Sequence, residues 1–310
     1  MYRSRVISIR EGVFVNREPA KRLHHLRTSP IWYLFLFPTM LGILLFMAYP
    51  IIEVFRLSLF QSNGTMETFK GLANYRYILG NGTFRIALFN TFFITFFQLL
   101  VAIPLGFLIA LAINSLDRGK NFLKALFFIP YVTPAIAAGT LFLFILHPNG
   151  ILNTFLAWFG ADPVSWLENG MSARVGAVLL SIWRSMGFNV IIFLAYLQTI
   201  AQEHYEAAYV DGCGRWQAHI HITFPQMRSA FAFLIIMGWI NGMQRFTDVY
   251  ALGGMTGSPA RSLHTIVGFI YERGFGNYEF GVASAASCIL FVIILLFTLL
   301  NMKLTRGDES

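Results

Sequence analysis

Long apolar stretches alternate along this chain with short polar ones. Six apolar runs stand out, at roughly 31–59, 86–114, 122–147, 174–200, 228–250 and 279–303. A helix crosses a bilayer with about 20 mostly apolar residues, whereas a barrel strand needs about half as many. The run lengths therefore predict six membrane-spanning helices. The second run, IALFNTFFITFFQLLVAIPLGFLIALAI, is apolar on every face, which suits a helix touching both lipid and protein. Pro38, Pro50, Pro104, Pro130 and Pro134 fall inside the first three runs. In a membrane, neighbouring helices can satisfy the carbonyls that proline frees, so kinks there are tolerated.

Composition sharpens the picture. Of 310 residues, 56% are hydrophobic and only 12% charged, against about 25% charged in a soluble domain. Mean hydropathy is +0.61. The two cysteines, Cys213 and Cys288, lie in a polar segment and an apolar run respectively, so no disulfide framework is implied. A net charge of +8 could mean nucleic acid, but seven of the 23 basic residues crowd into the first 29. That segment lacks the order of a cleavable signal peptide and reads as a cytoplasmic tail, residues 1–30. Arg118, Lys120 and Lys124, then Arg215 and Arg228, then Lys303 and Arg306 fall on the same side if the N-terminus is internal. Lys70, Arg76, Arg85, Arg261 and Arg273 are exceptions. The pattern predicts a multi-pass protein with both termini cytoplasmic, a membrane domain over 31–303 and a short tail at 304–310. Lipid is then its solvent, and nucleic acid is not a partner. The external segments 60–85 and 148–171 read as short turns and surface helices.

Residues 206–225, EAAYVDGCGRWQAHIHITFP, form a polar interruption between the fourth and fifth runs. Gln202 to Val210 favours helix, with acids near its start where the helix dipole prefers them. Asp211-Gly212 breaks it, because glycine enters left-handed dihedrals cheaply. Arg215 to Ile222 can form a second short helix that Pro225 limits. The small pair Ala207-Ala208 leaves one face flat for close approach by another protein. Glu206, Ala207, Ala208, Asp211, Gly212, Ile222 and Pro225 occur together at fixed spacing, and this segment resembles the EAA loop of the membrane-spanning subunits of ABC importers. Phe224 and Cys213 depart from that pattern, which commonly has Leu and a small residue there. The resemblance implies an all-α fold, a polytopic bundle of about six transmembrane helices with a cytoplasmic helix-turn-helix coupling loop at 201–226. In that family the loop docks onto a separate ATPase, which uses ATP and Mg; this chain is expected to bind no cofactor and to be no enzyme itself.

Further stretches are similar to the carbohydrate-importer branch, including sugar and glycerol-phosphate permeases. They are Phe246-Thr247-Asp248, Gly253-Gly254, Ser258-Pro259, Ile270-Tyr271, Gly281 with Ala283 to Ala285, Trp183-Arg184 with Gly187, and Ile129-Pro130-Tyr131. The resemblance implies uptake of a sugar or oligosaccharide across the inner membrane of a prokaryote. The implied partners are a second permease subunit (a heterodimer), two ATPase subunits and an extracytoplasmic solute-binding protein.

Polar residues at membrane depth are the candidates for the substrate path, since a charge there is costly unless paired or facing water. Arg184 sits roughly 15 Å into the fourth run at helical rise, with Asn189 beyond it. Asn241, Gln244 and Arg245 cluster in the fifth run, and Asp248 lies four residues from Gln244, on a shared face if the helix continues. Trp183, Tyr196 and Trp239 are candidate aromatic faces for a pyranose ring. Asn90, Thr91, Thr95 and Gln98 mark a polar side of the second run and read first as interhelical glue. The candidate path is Asn241, Gln244, Arg184, Asn189 and Trp239. No phosphate loop occurs, because Gly119-Lys120 lacks the upstream glycine and following Ser or Thr. The pairs His24-His25 and His219/His221 do not set two imidazoles on one helix face with acids, so no metal site is expected. The rival reading is an ion-coupled secondary transporter or channel without an ATPase. It needs buried acids, of which Glu53 and Asp248 are the candidates, and no repeat between the chain's halves supports it.

Overall fold

The computed structural model describes residues 30–306. Residues 1–29 of the basic tail, with His24-His25, and residues 307–310 lie outside the described residues. The chain divides into two compact units, 1–51 and 52–310. Helix α1 (Pro30–Ile43) absorbs Pro38 and leads through a single π-helical turn, Leu44–Ala48, to α2 (Tyr49–Ser58), which runs across the boundary at residue 51. The stretch Trp32–Ser58 is long and apolar enough to cross a membrane. Its large side chains are exposed, Phe46 at 84%. A helix this apolar on its outside is built for lipid.

After α2, the second unit continues with a small antiparallel hairpin, β1 (Phe60–Ser62) and β2 (Glu67–Phe69), paired Phe60 to Phe69. Asn63 and Gly64 make its turn, where Asn63 Oδ1 accepts from the amides of Thr65 and Met66 and Gly64 takes φ +90°. Helices α3 (Ala73–Gly80), α4 (Gly82–Asn114), α5 (Lys120–Val132), α6 (Ala135–Ile145), α7 (Ile151–Ala157) and α8 (Gly170–Leu197) follow. Then come α9 (Gln202–Val210), α10 (Arg215–Ala218), α11 (Phe224–Gln226), α12 (Arg228–Met243), α13 (Thr247–Gly253), α14 (Ile266–Tyr271) and α15 (Phe280–Arg306). The hairpin in 60–85 is an element that the expectation of turns and surface helices did not contain.

Four helices are each long and apolar enough to span, and two bent pairs bring the number to six. The bends correct the expectation of six continuous spans. Between α5 and α6 the chain turns by 96°. Pro134 pushes the residue before it out of the α region, and Thr133 accordingly sits at φ −65°, ψ 130°. Pro104, by contrast, stays inside an unbroken α4. The fifth run stops at Met243 instead of continuing to 250. Gln244 and Phe246 leave helical dihedrals, and the Thr265 hydroxyl donates to the Arg245 carbonyl at 2.9 Å. Gln244 and Asp248 therefore lie on different elements and share no helix face.

The core sits where α4 packs on α8, with α5 and α12 alongside. One cluster gathers Ile103, Ala110, Val190, Phe193, Met227 and Leu234; a second joins α6, α8 and α13; a third joins α4, α12, α14 and α15. Small residues let these backbones approach closely. At Gly187, a Cβ would lie 2.3 Å from the Phe127 carbonyl oxygen on α5. Gly187→Val is expected to destabilise the fold by about 1–3 kcal/mol through overpacking. Thermal unfolding in lipid nanodiscs checks this; an unchanged midpoint would mean that α5 and α8 separate freely.

Candidate functional site

Two features carry chemistry. The first is a finger between α8 and α12. Helix α9 ends at Asp211, whose amide bonds the Ala207 carbonyl at 3.0 Å. Gly212 then takes φ +81° with open space around it. Gly214 starts the return limb, its amide donating to Gln217 Oε1 at 2.9 Å. That limb runs through α10, a π-turn His219–Thr223 and α11. Pro225 was expected to limit it but sits inside it; the stop is the 59° bend at Met227, before α12. The two limbs are braced, Tyr205 to Thr223 by their hydroxyls at 2.8 Å, with His219 Nδ1 3.1 Å from Thr223 Oγ1.

Glu206 accepts from Gln202 Nε2 at 2.9 Å and is exposed, as are Ala207, Asp211, Gly212 and Pro225; Ala208 is half-buried. Ile222 belongs to the packing instead, half-buried against the first core cluster. Phe224 packs its ring on Phe231 and Phe107, at 5.3 and 6.3 Å between centroids. The finger also exposes Val210 at 88% and Trp216 at 76%. With Tyr209 and Ile220 also exposed, these apolar side chains mark a contact surface. The sequence reading passed over both, although a valine and a tryptophan flanking a Gly-containing turn were a visible signal.

The second feature is a cavity of about 320 Å³ within the bundle, lined by Gln98, Tyr131, Arg184, Asn241, Gln244 and Asp248 among others. It draws on α4, α5, α8, α12 and the α12–α13 break. Asn189 also lines it, and its amide donates to the Ala102 carbonyl at 3.1 Å. Asp248 Oδ2 accepts from Arg184 Nη1 at 3.1 Å and from Arg245 Nη1 at 2.6 Å, while Oδ1 takes the Val249 amide at 2.9 Å. Arg245 Nη2 donates to Gln98 Oε1 at 2.6 Å. One buried carboxylate thus holds two guanidiniums from different elements, and Gln98 ties the set to α4. The several N–H donors of a guanidinium let Arg245 serve Asp248 and Gln98 at once.

The structure brings Arg184, Asn189, Asn241 and Gln244 to one cavity. Trp239 is the correction. Its indole faces away and stacks on Phe297, 3.9 Å between centroids, in the third core cluster. A large aromatic on a mostly apolar helix satisfies burial as readily as ligand contact. Trp183 and Tyr196 also pack into clusters, and the cavity's aromatics are Tyr131, Phe188 and Phe246. Asn90 is glue, donating to the Arg261 and His264 carbonyls at 2.8 and 2.9 Å and accepting from Arg174. Gln98, read from the sequence as interhelical glue, and Asp248, read as a candidate acid for an ion-coupled transporter, instead form one set with Arg245, whose three-residue spacing from Asp248 is the available signal. The two acids that an ion-coupled transporter would need are both engaged, Asp248 as above and Glu53 with Arg56 Nε at 2.9 Å. Among the described residues, no group of His, Cys, Asp and Glu is placed to hold a metal ion.

Residues 102–307 match the family described as the binding-protein-dependent transport system inner membrane component. The chain belongs to that family. Within it, this permease is 36% identical to the arabinooligosaccharide transport system permease protein AraP of Bacillus subtilis, over 90% of this chain and 89% of AraP. It is 30% identical to the trehalose/maltose transport system permease protein MalF of Thermococcus litoralis, over 90% and 95% of the two chains. Among solved structures it is similar to a bacterial ABC transporter involved in import of the acidic polysaccharide alginate, at a TM-score of 0.78 and 25% identity, covering 90% of this chain and 96% of that one. The family is an inner membrane component, and the four to six apolar helices make this chain a multi-pass, mainly helical membrane protein.

Proposed function

We propose that this chain is one of the membrane-spanning subunits of an ATP-driven importer for an oligosaccharide, and that residues 202–227 are its docking finger for a separate ATPase. The observation that carries the reading is the finger itself: a braced helix–turn–helix that holds Val210 and Trp216 out of the bundle beside Glu206 and Ala207. In this arrangement the finger and both termini face the cytoplasm. Two ATPase subunits bind ATP and Mg there, a second permease faces this one, and a solute-binding protein delivers the sugar outside. The names of the relatives AraP and MalF support an oligosaccharide as cargo.

The cavity supplies what a polyol needs. Asn241 and Gln244 each offer two donors and an acceptor oxygen, and Tyr131 offers an aromatic face. About 320 Å³ sits at the lower end of small-molecule sites, which run from about 300 to 1,000 Å³, so an oligosaccharide would need the second permease to complete the passage. Nucleotide-driven closure of the ATPases moves the fingers together, tilts α12 and opens the bundle outward; hydrolysis resets it. The test is uptake of labelled arabino- and malto-oligosaccharides into vesicles carrying the assembled importer, with and without ATP. Asn241→Ala and Gln244→Ala are each expected to raise KM roughly fivefold, about 1 kcal/mol for a lost hydrogen bond, while binding-protein-stimulated ATP hydrolysis persists. Unchanged transport in both variants would remove these residues from the path, and ATP-independent uptake would sink the importer reading.

A further inference from the structure

At the other end of the bundle lies a second polar pocket, about 530 Å³, between the β1–β2 hairpin and the turn that leads into α15. Gln61, Thr68, Tyr77, Asn277, Tyr278 and Glu279 line it. We infer that this pocket binds a carbohydrate before it enters the bundle, as an entry subsite separate from the cavity at Asn241. The inference rests on the carbohydrate-importer reading above.

The pocket is built rather than incidental. Asn74 Nδ2 donates to the carbonyls of Ser58 and Phe60, each at 2.8 Å, and pins the hairpin to α3. A Cβ at Gly281 would lie 1.9 Å from the Phe60 carbonyl oxygen, so the start of α15 and the hairpin touch backbone to backbone. The opposite wall is held by the Asn277 amide on the Glu272 carbonyl at 2.9 Å and the Glu279 amide on the Arg273 carbonyl at 2.7 Å. Arg273 also pairs with Glu279 Oε2 at 2.8 Å and lies over the Tyr77 ring, 5.7 Å from its centroid.

On this fixed frame Tyr278 adopts φ +57° and remains 63% exposed. A tyrosine in the left-handed region is uncommon, and glycine would occupy it without steric cost. The ring meets Phe280 edge-on, 6.4 Å between centroids, and otherwise stands open to the pocket. An exposed aromatic ring, the carboxamides of Gln61 and Asn277, the Thr68 hydroxyl and the Glu279 carboxylate around one concavity form a donor and acceptor set that matches neighbouring sugar hydroxyls, with the ring left for the C–H face. The placement suits entry. The pocket adjoins α3, just before the start of α4, whereas the finger lies against Leu111, Asn114 and Ser115 at the far end of α4. A helix of 33 residues separates them, roughly 50 Å.

The decisive variant is Tyr278→Gly, which removes the ring while suiting the backbone. The assembled importer in nanodiscs, without binding protein, is probed by saturation-transfer NMR with arabinotriose and maltotriose, and uptake is measured in parallel with binding protein present. The expected result is a signal for the imported sugar that Tyr278→Gly weakens severalfold, leaving only the part that Asn241→Ala also lowers. The apparent KM should rise roughly five- to tenfold with the maximal rate kept, the scale of one lost aromatic contact. Gln61→Ala should raise KM in the same direction. An unchanged signal and KM in Tyr278→Gly would overturn the subsite while leaving the importer reading intact. So would a variant that shifts only the binding-protein concentration needed for half-maximal uptake, because the pocket would then receive protein. If the wild-type importer takes up neither sugar, the carbohydrate reading falls and the subsite with it.

Discussion

Replacing Asp248 by alanine is expected to abolish uptake and to cost the fold about 3–5 kcal/mol, the penalty of removing one partner from a buried ion pair. The Asp248 side chain is 3% exposed and Arg245 9%. Without the carboxylate, two guanidiniums from α8 and the α12–α13 break face each other with no acid between them. Arg184, at 27% exposure, can swing toward water in the cavity; Arg245 cannot. The damage should therefore fall mainly on Arg245 and on its bond to Gln98. Unfolding midpoints in nanodiscs and vesicle uptake check this together. The double variant Asp248→Ala with Arg245→Met should recover part of the stability, because it removes the charge left unpaired. If the single variant unfolds like wild type, the three residues are not coupled in the membrane.

The second large effect is expected at the finger. Trp216→Glu should cut co-purification of the ATPase roughly thirtyfold, since an exposed tryptophan that becomes buried in an interface commonly contributes about 2 kcal/mol. Val210→Glu should add to it, on the other side of the Gly212 turn. The permease itself should still fold, because both side chains point into open solvent. Titration of purified ATPase onto nanodisc-held permease, read by light scattering or fluorescence anisotropy, gives the affinity directly. Full binding by the double variant would place the docking surface elsewhere.

Hydropathy alone made the long helices α4, α8 and α15 legible, because length and apolar content are what a bilayer demands of a span. Direction was not legible. Pro38, Pro104, Pro130 and Pro134 all announce a possible kink, yet only Pro134 separates two helices, where the chain turns by 96°. Which proline breaks a helix depends on what satisfies the freed carbonyl in the folded bundle, and one sequence does not carry that. The stop after Met243 was hidden for the same reason: the Thr265 hydroxyl that takes over the Arg245 carbonyl comes from twenty residues away. In the cavity, Arg184, Asn189, Asn241 and Gln244 were legible because polar groups at depth need a reason. Trp239 was not, because an indole fits a sugar and a core equally well. The finger's outline followed from its turn glycine and from the resemblance, but its exposed apolar tips needed coordinates. The hairpin at Asn63-Gly64 was missed although that dipeptide is a strong turn signal.

The brace between Tyr205 and Thr223 turns the finger into one stiff piece, and the 59° bend at Met227 joins that piece to α12. The pair has the form of a bell crank. Helix α12 has 16 residues, so its lever arm is about 24 Å. A tilt of about 10° at the bend would carry the far end about 4 Å sideways over that arm. Asn241 sits at that far end, with Gln244 just past it. A displacement of that size is comparable to the width of a sugar hydroxyl with its hydrogen bond. A small angular stroke on the finger side is thus enough to exchange one set of polar partners in the cavity for another.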